Sequence, residues 1–192
     1  RGMITGKTVV LRETQAQEFA AIRKIAAQGA DWLFWDGGEI SLDRLESVLL
    51  DTSPGTLSRL YSAWRGGEIV GFATLNEINP VHRSAELRYV GVRADDGSVW
   101  LIADIVQSLI RFGFQRLNLN RLHGCVYAAH RALNALYEHE GFMLEGTKRE
   151  SIWRNGRFED VCEWALLRSD WLARNALNEP APVTENGPAT RS

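Results

Sequence analysis

Apolar and polar positions alternate in blocks that change period along the chain. Thr8 to Arg12 is a short apolar run of strand character. From Ala16 to Gln28 the period lengthens: Phe19, Ile22 and Ile25 fall on one face and Gly29 marks the stop, which predicts a helix. Ser41 is placed to cap a second helix carrying Leu42, Leu45, Val48 and Leu49, broken at Thr52-Ser53-Pro54-Gly55. Leu57 to Trp64 and Glu68 to Asn76 read as strands, joined at Gly66-Gly67 by a hairpin turn. Ala85 to Arg93 is the next strand. A long helix then runs to Phe114, with Ile102, Ile105, Val106, Leu109 and Ile110 on its inner face. Arg121 to Tyr127 returns to strand. The stretch from His130 is again helical, with Leu133, Leu136 and Tyr137 on one face and Gly141 where the backbone must turn left-handed. Met143 to Trp153 and Val161 to Arg168 are two further strands around Arg154-Asn155-Gly156-Arg157, a tight-turn sequence.

Length places this pattern in one domain, over residues 4–174, with a core large enough to be stable alone. Arg1-Gly2 ahead of Met3 reads as a remnant of cloning. Residues 175–192 are expected to be a disordered tail, rich in Pro, Glu, Asn and Thr from Asn178 onward. The 22 basic and 24 acidic side chains nearly cancel, so neither a nucleic acid nor an anionic membrane is implied as a partner. No apolar run is long enough to span a bilayer. Cys125 and Cys162 both sit in strand-like runs and read as buried free thiols, with no zinc-type spacing and no metal expected. That usage points to a reducing cytoplasm.

The order strand, strand, strand, helix, strand, followed by Leu136-Tyr137-Glu138 and then Gly141-Phe142, resembles the GNAT superfamily of N-acyltransferases. Val9-Val10-Leu11-Arg12-Glu13 is similar to the opening strand of the branch that acetylates ribosomal-protein N-termini. Glu145-Gly146, Arg149, Gly156 and Asp160 stand where that branch usually has them. The resemblance covers roughly Ile4 to Trp171. It implies an α/β (α+β) fold: a mixed, mostly antiparallel sheet of six to seven strands, splayed at its centre, with helices on both faces.

In such a fold a pantetheine thioester lies between two diverging parallel strands, here Ala85–Arg93 and Arg121–Tyr127. The resemblance assigns Val90, Gly91 and Val92 to the donor, with a backbone N–H polarising the thioester carbonyl and Gly91 allowing close approach. Tyr137 matches the tyrosine that protonates the departing thiolate; as an amphipathic core side chain it has an equally good structural reading. Glu86 matches an acidic position used as base in parts of the family, His82 and Glu77 lie just before it, and water is an alternative base. Trp32, Phe34, Trp35 and Asp36 fall in the loop where relatives build the acceptor pocket, three rings for its walls and a carboxylate for an ammonium. Core packing explains the rings equally well.

The sequence departs from the family at the phosphate-binding loop. The six positions of its Gln/Arg-x-x-Gly-x-Gly/Ala motif fall on Asp95 to Trp100, which leaves Gly97, Ser98 and Val99 to meet the donor and sets two aspartates beside it. A carboxylate about 4 Å from a phosphate costs about 1 kcal/mol in water and about 4 kcal/mol in a partly shielded site. The asparagine that usually contacts the donor at the start of the later helix is His130. These departures favour an acyl group carried on the phosphopantetheine arm of a carrier protein over free acyl-CoA, passed to the amine of a small molecule in a biosynthetic pathway. Arg93, Arg121, Arg131 and His130 would then meet an acidic carrier. Two further readings stay open: a conventional acetyl-CoA-dependent N-acetyltransferase of a protein N-terminus or small amine, and a non-catalytic binding module. Either a monomer or a homodimer is expected.

Overall fold

The computed structural model describes residues 3–28, 57–93, 99–154 and 156–178. Their strands form one eight-stranded sheet in the order β1-β2-β3-β4-β5-β6-β8-β7. These are β1 (Ile4–Thr5), β2 (Val10–Glu13), β3 (Leu57–Arg65), β4 (Glu68–Asn79), β5 (Ser84–Val92), β6 (Arg121–Tyr127), β7 (Met143–Arg154) and β8 (Arg157–Leu167). All neighbours are antiparallel except β5 and β6. The count exceeds the six to seven expected because Ile4–Thr5 folds back on Val10 and Leu11 as a two-residue edge strand, too short to show a period of its own. Gly66 and Gly67 both have positive φ (58° and 85°), as a type I′ turn joining Arg65 to Glu68 requires.

Four helices cover the sheet among the described residues. A 3-10 turn at Ala16–Glu18 leads into α1 (Phe19–Gln28), whose Phe19, Ile22 and Ile25 pack on Leu60, Phe72 and Tyr89. On the opposite face α2 (Val99–Gln115) buries Leu101, Ile102, Ile105, Leu109 and Phe114. Beside it α3 (Arg131–His139) contributes Leu133, Leu136 and Tyr137 to the same core. α3 ends where the sequence predicts. Gly141 is left-handed (φ 92°), its N–H donates to the Glu138 carbonyl at 3.0 Å, and the Phe142 N–H donates to the Tyr137 carbonyl at 3.0 Å. This is a Schellman closure. α4 (Arg168–Asn178) continues directly from β8, past the boundary expected at 174, and stacks Trp171 on Phe114, ring centroids 5.5 Å apart.

One irregularity positions the rest. On β4, Ala73 and Leu75 face Val90 and Leu87 on β5, so Thr74 alone opposes the pair Arg88-Tyr89. The extra residue makes a β-bulge, which bends and twists the strand. The Thr74 hydroxyl accepts the Tyr89 N–H at 3.2 Å and so satisfies the amide that the bulge displaces. Just before the bulge, β5 and β6 pair over three residues only, Ser84–Arg121, Ala85–Leu122 and Glu86–His123. Beyond the Glu86–His123 rung the two strands part. The splay expected at the centre of the sheet is present, and the bulge supplies its cause.

Candidate active site

The split runs along β5 from Leu87 to Val92. Arg93 N–H donates to the Val70 carbonyl on β4 at 2.9 Å. Strand alternation therefore turns the backbone groups of Val92 and Val90 the other way, into the split. Val90 and Val92 side chains pack into the α2 core. Gly91 also answers to packing: a Cβ there would lie 2.5 Å from Phe72 Cε1, so the glycine makes room for a ring beneath α1.

Tyr137 stands at the apex of the split. α3 carries it inward as a fully buried side chain, with its ring 4.6 Å from Phe142 and 6.4 Å from Trp164. Its hydroxyl donates to the Leu87 carbonyl at 3.1 Å. A Cβ on Gly124 would come within 2.7 Å of that hydroxyl, so glycine is required on β6 for the ring to reach β5. Burial, and then the nearby Glu86 carboxylate, push the phenol well above its ordinary pKa. It stays protonated across the physiological range. Tyr137 is thus a core side chain whose hydroxyl closes the slot.

The two faces of the split differ in chemistry. On the α2 and α3 side, Leu122, Val126, Leu133 and Leu136 fill the space with apolar groups. The other side is polar. Glu86 is buried there and pairs with Arg88 at 2.7 Å. His123 lies beside Glu86 on β6, half-buried, and Cys125 follows two residues on. Further out, Arg121 clasps Glu145 with a bond at 2.7 Å, and Lys148 meets Glu163 at 2.6 Å. Burial pulls the His123 imidazole below its ordinary pKa. Arg121 and Arg88 add to that, against Glu77 and Glu145.

Sequence reasoning passed over His123. The signal lay in β6 itself, where Arg121, His123 and Cys125 alternate with Leu122, Gly124 and Val126. A strand in the middle of a covered sheet is usually apolar on both faces, so a polar half marks an exposed functional surface. The other candidates scatter. His82 is exposed in the β4–β5 turn, its N–H donating to Asn79 Oδ1 at 2.8 Å. Six steps of strand from Ser84, about 20 Å, separate that turn from Val90. It sits beyond the closed end of the split and does not join the site. Glu77 occupies an irregularity in β4 with φ 49°, exposed, within electrostatic reach of His123.

His130 is the N-cap of α3, its Nδ1 accepting the Leu133 N–H at 3.2 Å, a structural role. Val99 opens α2, followed by a largely exposed Trp100. A groove of about 750 Å3 runs from there between α2 and α3, with Lys7, Arg65, Gln107, Leu136 and His139 among its walls. Gly97 and Ser98 at the helix start, and Trp32, Phe34, Trp35 and Asp36 of the expected acceptor loop, lie outside the described residues. Of the basic residues expected to receive a carrier protein, Arg131 is exposed at the start of α3 and the other three are engaged within the fold. Arg93 pairs with Glu68 at 2.9 Å, Arg121 with Glu145, and His130 is the cap. A paired guanidinium offers little net charge to an acidic partner. Among the described residues no group of three or more His, Cys, Asp or Glu side chains is placed to hold a metal ion.

Comparison with known proteins bears directly on this geometry. A putative ribosomal N-acetyltransferase, YdaF of Bacillus subtilis, is 26% identical over 144 residues, spanning 73% of this chain and 78% of that protein. A spermidine N(1)-acetyltransferase of Vibrio cholerae is 31% identical over 107 residues, 56% of this chain and 61% of that protein. The fold matches a solved spermidine N-acetyltransferase from Vibrio cholerae in complex with CoA and spermine, with a TM-score of 0.75 and 24% identity over 86% of this chain and 98% of that one. The family model described as an acetyltransferase (GNAT) domain matches residues 11–162, from the start of β2 through most of β8 and across both strands that part. A split sheet with an aligned pair of open amides and a tyrosine at its apex is thus met in a chain that belongs to the GNAT acetyltransferases.

Proposed function

We propose that the protein is an acetyl-CoA-dependent N-acetyltransferase acting on the amine of a small molecule. The observation that carries this reading is the split itself: β5 presents the Val90 and Val92 backbone to it, and the Tyr137 hydroxyl closes its apex at the Leu87 carbonyl. A pantetheine arm laid along β5 would meet those amides as an added strand would, and a thioester carbonyl beside one of them would be polarised. The amine nitrogen then bonds to the acetyl carbon as the C–S bond breaks. Tyr137 supplies a proton to the leaving thiolate. The first residues of α2 and the groove beside them, with Lys7 and Arg65, suit the anionic remainder of the coenzyme.

Free coenzyme is preferred over a carrier-bound arm as the donor because two of the three arginines that would receive a carrier, Arg93 and Arg121, are paired with Glu68 and Glu145. A small amine is preferred because the relatives include spermidine acetyltransferases. The polar face offers ion-paired carboxylates rather than an open acidic well, and the YdaF relative favours a second reading, acetylation of a protein N-terminus. Release of coenzyme A thiol from acetyl-CoA, measured with spermidine, simple monoamines and an N-terminal peptide, decides among these. Turnover with a small amine supports the proposal. Turnover with the peptide alone supports the second reading. No thiol release with any amine, or release only from an acetylated carrier protein, rejects both.

A further inference from the structure

We propose that His123 is the base that takes the proton from the acceptor amine. This inference rests on the function proposed above. It starts from position. His123 forms the last rung of the β5–β6 ladder, opposite Glu86, and the next residue, Gly124, abuts the Tyr137 hydroxyl. Successive strand residues face opposite sides. Gly124 therefore turns towards Tyr137 and the apolar core, while His123 faces the other side. The α2 and α3 side of the apex is filled by Leu122, Leu133, Leu136 and Tyr137. An amine approaching a thioester in the split must come from the polar side, where His123 and Glu86 flank the opening.

The charged groups around His123 are defined on each element that packs against it among the described residues. Arg121 shares its strand, Glu86 and Arg88 lie on β5, Glu77 on β4 and Glu145 on β7, while its β8 neighbour is the uncharged Ala165. Glu86 is engaged by Arg88 and Glu145 by Arg121, so each of these carboxylates already has a cation. Both arginines disfavour a second positive charge, and so does partial burial. The imidazole is therefore neutral at pH 7 and ready to accept a proton.

The proton balance is simple. The amine arrives as an ammonium with three protons and leaves as an amide with one. His123 takes one proton and passes it to solvent. The other restores the proton that Tyr137 gives to the thiolate, which leaves as coenzyme A thiol. No oxidant or further reactant is needed. Glu86, locked to Arg88, is a positioning residue beside this base rather than a competing one.

Two measurements test the inference. In the wild type, kcat/KM against pH should show an acidic limb whose midpoint lies below 6.5 and does not move between amines of different basicity. A limb that follows each amine's own pKa assigns deprotonation to solvent and overturns the proposal without any mutation. In His123→Gln, kcat/KM at pH 7 should fall about 100-fold or more. That limb should disappear, with activity recovering above pH 9 where the amine deprotonates unaided. Unchanged binding of acetyl-CoA in calorimetry excludes misfolding as the cause. Wild-type turnover that His123→Gln retains, limb included, overturns the role of His123 alone. Absence of turnover in the wild type overturns the proposed function and this inference with it.

Discussion

The Tyr137 hydroxyl donates to a carbonyl that the parting of two strands has deprived of a sheet partner. Tyr137→Phe leaves that carbonyl buried and unpaired, a cost of about 1 kcal/mol, which a urea midpoint would detect. If the hydroxyl also protonates the thiolate, kcat should fall about 100-fold in the same variant. Loss of stability with full turnover would leave it a structural role only. At this scale the sequence is legible where local spacing carries the message. Tyr137 stands four residues before Gly141, and the run Leu-Tyr-Glu-x-x-Gly-Phe gives its side-chain direction. His123 carries no such marker. A single histidine in a seven-residue strand acquires meaning only when Glu86 is set beside it by a parallel pairing that local pattern does not encode. Gly91 and Gly124 are illegible for the same reason: each is explained by a ring from another element, Phe72 and Tyr137.

Among the elements, α2 carries the least expected feature. Its inner face was legible as Ile102, Ile105, Val106, Leu109 and Ile110, yet Asp104 is buried among them. The carboxylate accepts N–H groups from Lys7 (2.7 Å), Thr8 (2.6 Å) and Val9 (3.1 Å) and the Thr8 hydroxyl (2.9 Å). It ties the turn between β1 and β2 to the helix. Burial alone would raise its pKa; the four bonds together outweigh burial and hold it below the ordinary aspartate value. A carboxyl lowered in the folded state stabilises fully above its unfolded pKa of about 3.9 and loses that contribution as pH falls through the folded value. Asp104→Asn should cost about 2 kcal/mol at neutral pH. The gap from wild type should narrow only below about pH 4, as followed by urea unfolding across that range. The partners lie more than ninety residues away, so nothing local announces them. The helix, the hairpin glycines and the Gly141 stop were legible because each is decided within a few residues. The two-residue β1 and the helix Arg168–Asn178 were not, one for brevity and one because it follows β8 with no breaker between.

Across the whole molecule, the split divides the sheet into β1–β5 and β6–β8, joined in the sheet by three rungs. A donor lying in it touches both halves and should hold them together. Acetyl-CoA at about 100 times its Kd should stabilise the fold by about 2.7 kcal/mol, raising Tm by roughly 5–10 °C in a scan with and without ligand. An unchanged Tm at saturating coenzyme would mean that the slot does not receive it. The order of elements was enough to reach the family, since that order sets which strands can be neighbours. It was not enough to choose the donor. Charges counted along the chain look available; in three dimensions Arg93 and Arg121 are already paired with Glu68 and Glu145, three of the four being strand residues brought alongside by sheet formation.

The bulge at Arg88-Tyr89 has a consequence for how such a chain can change. Because two consecutive side chains there face the same way, loss of one codon would leave every later residue of β5 on its present side. The oily interior would survive intact. What would vanish is the bend, and a straightened β5 could zip onto its parallel neighbour along its whole length. The hole in the sheet can thus be opened or erased by a single-residue change in length, at little expense to the ability to fold.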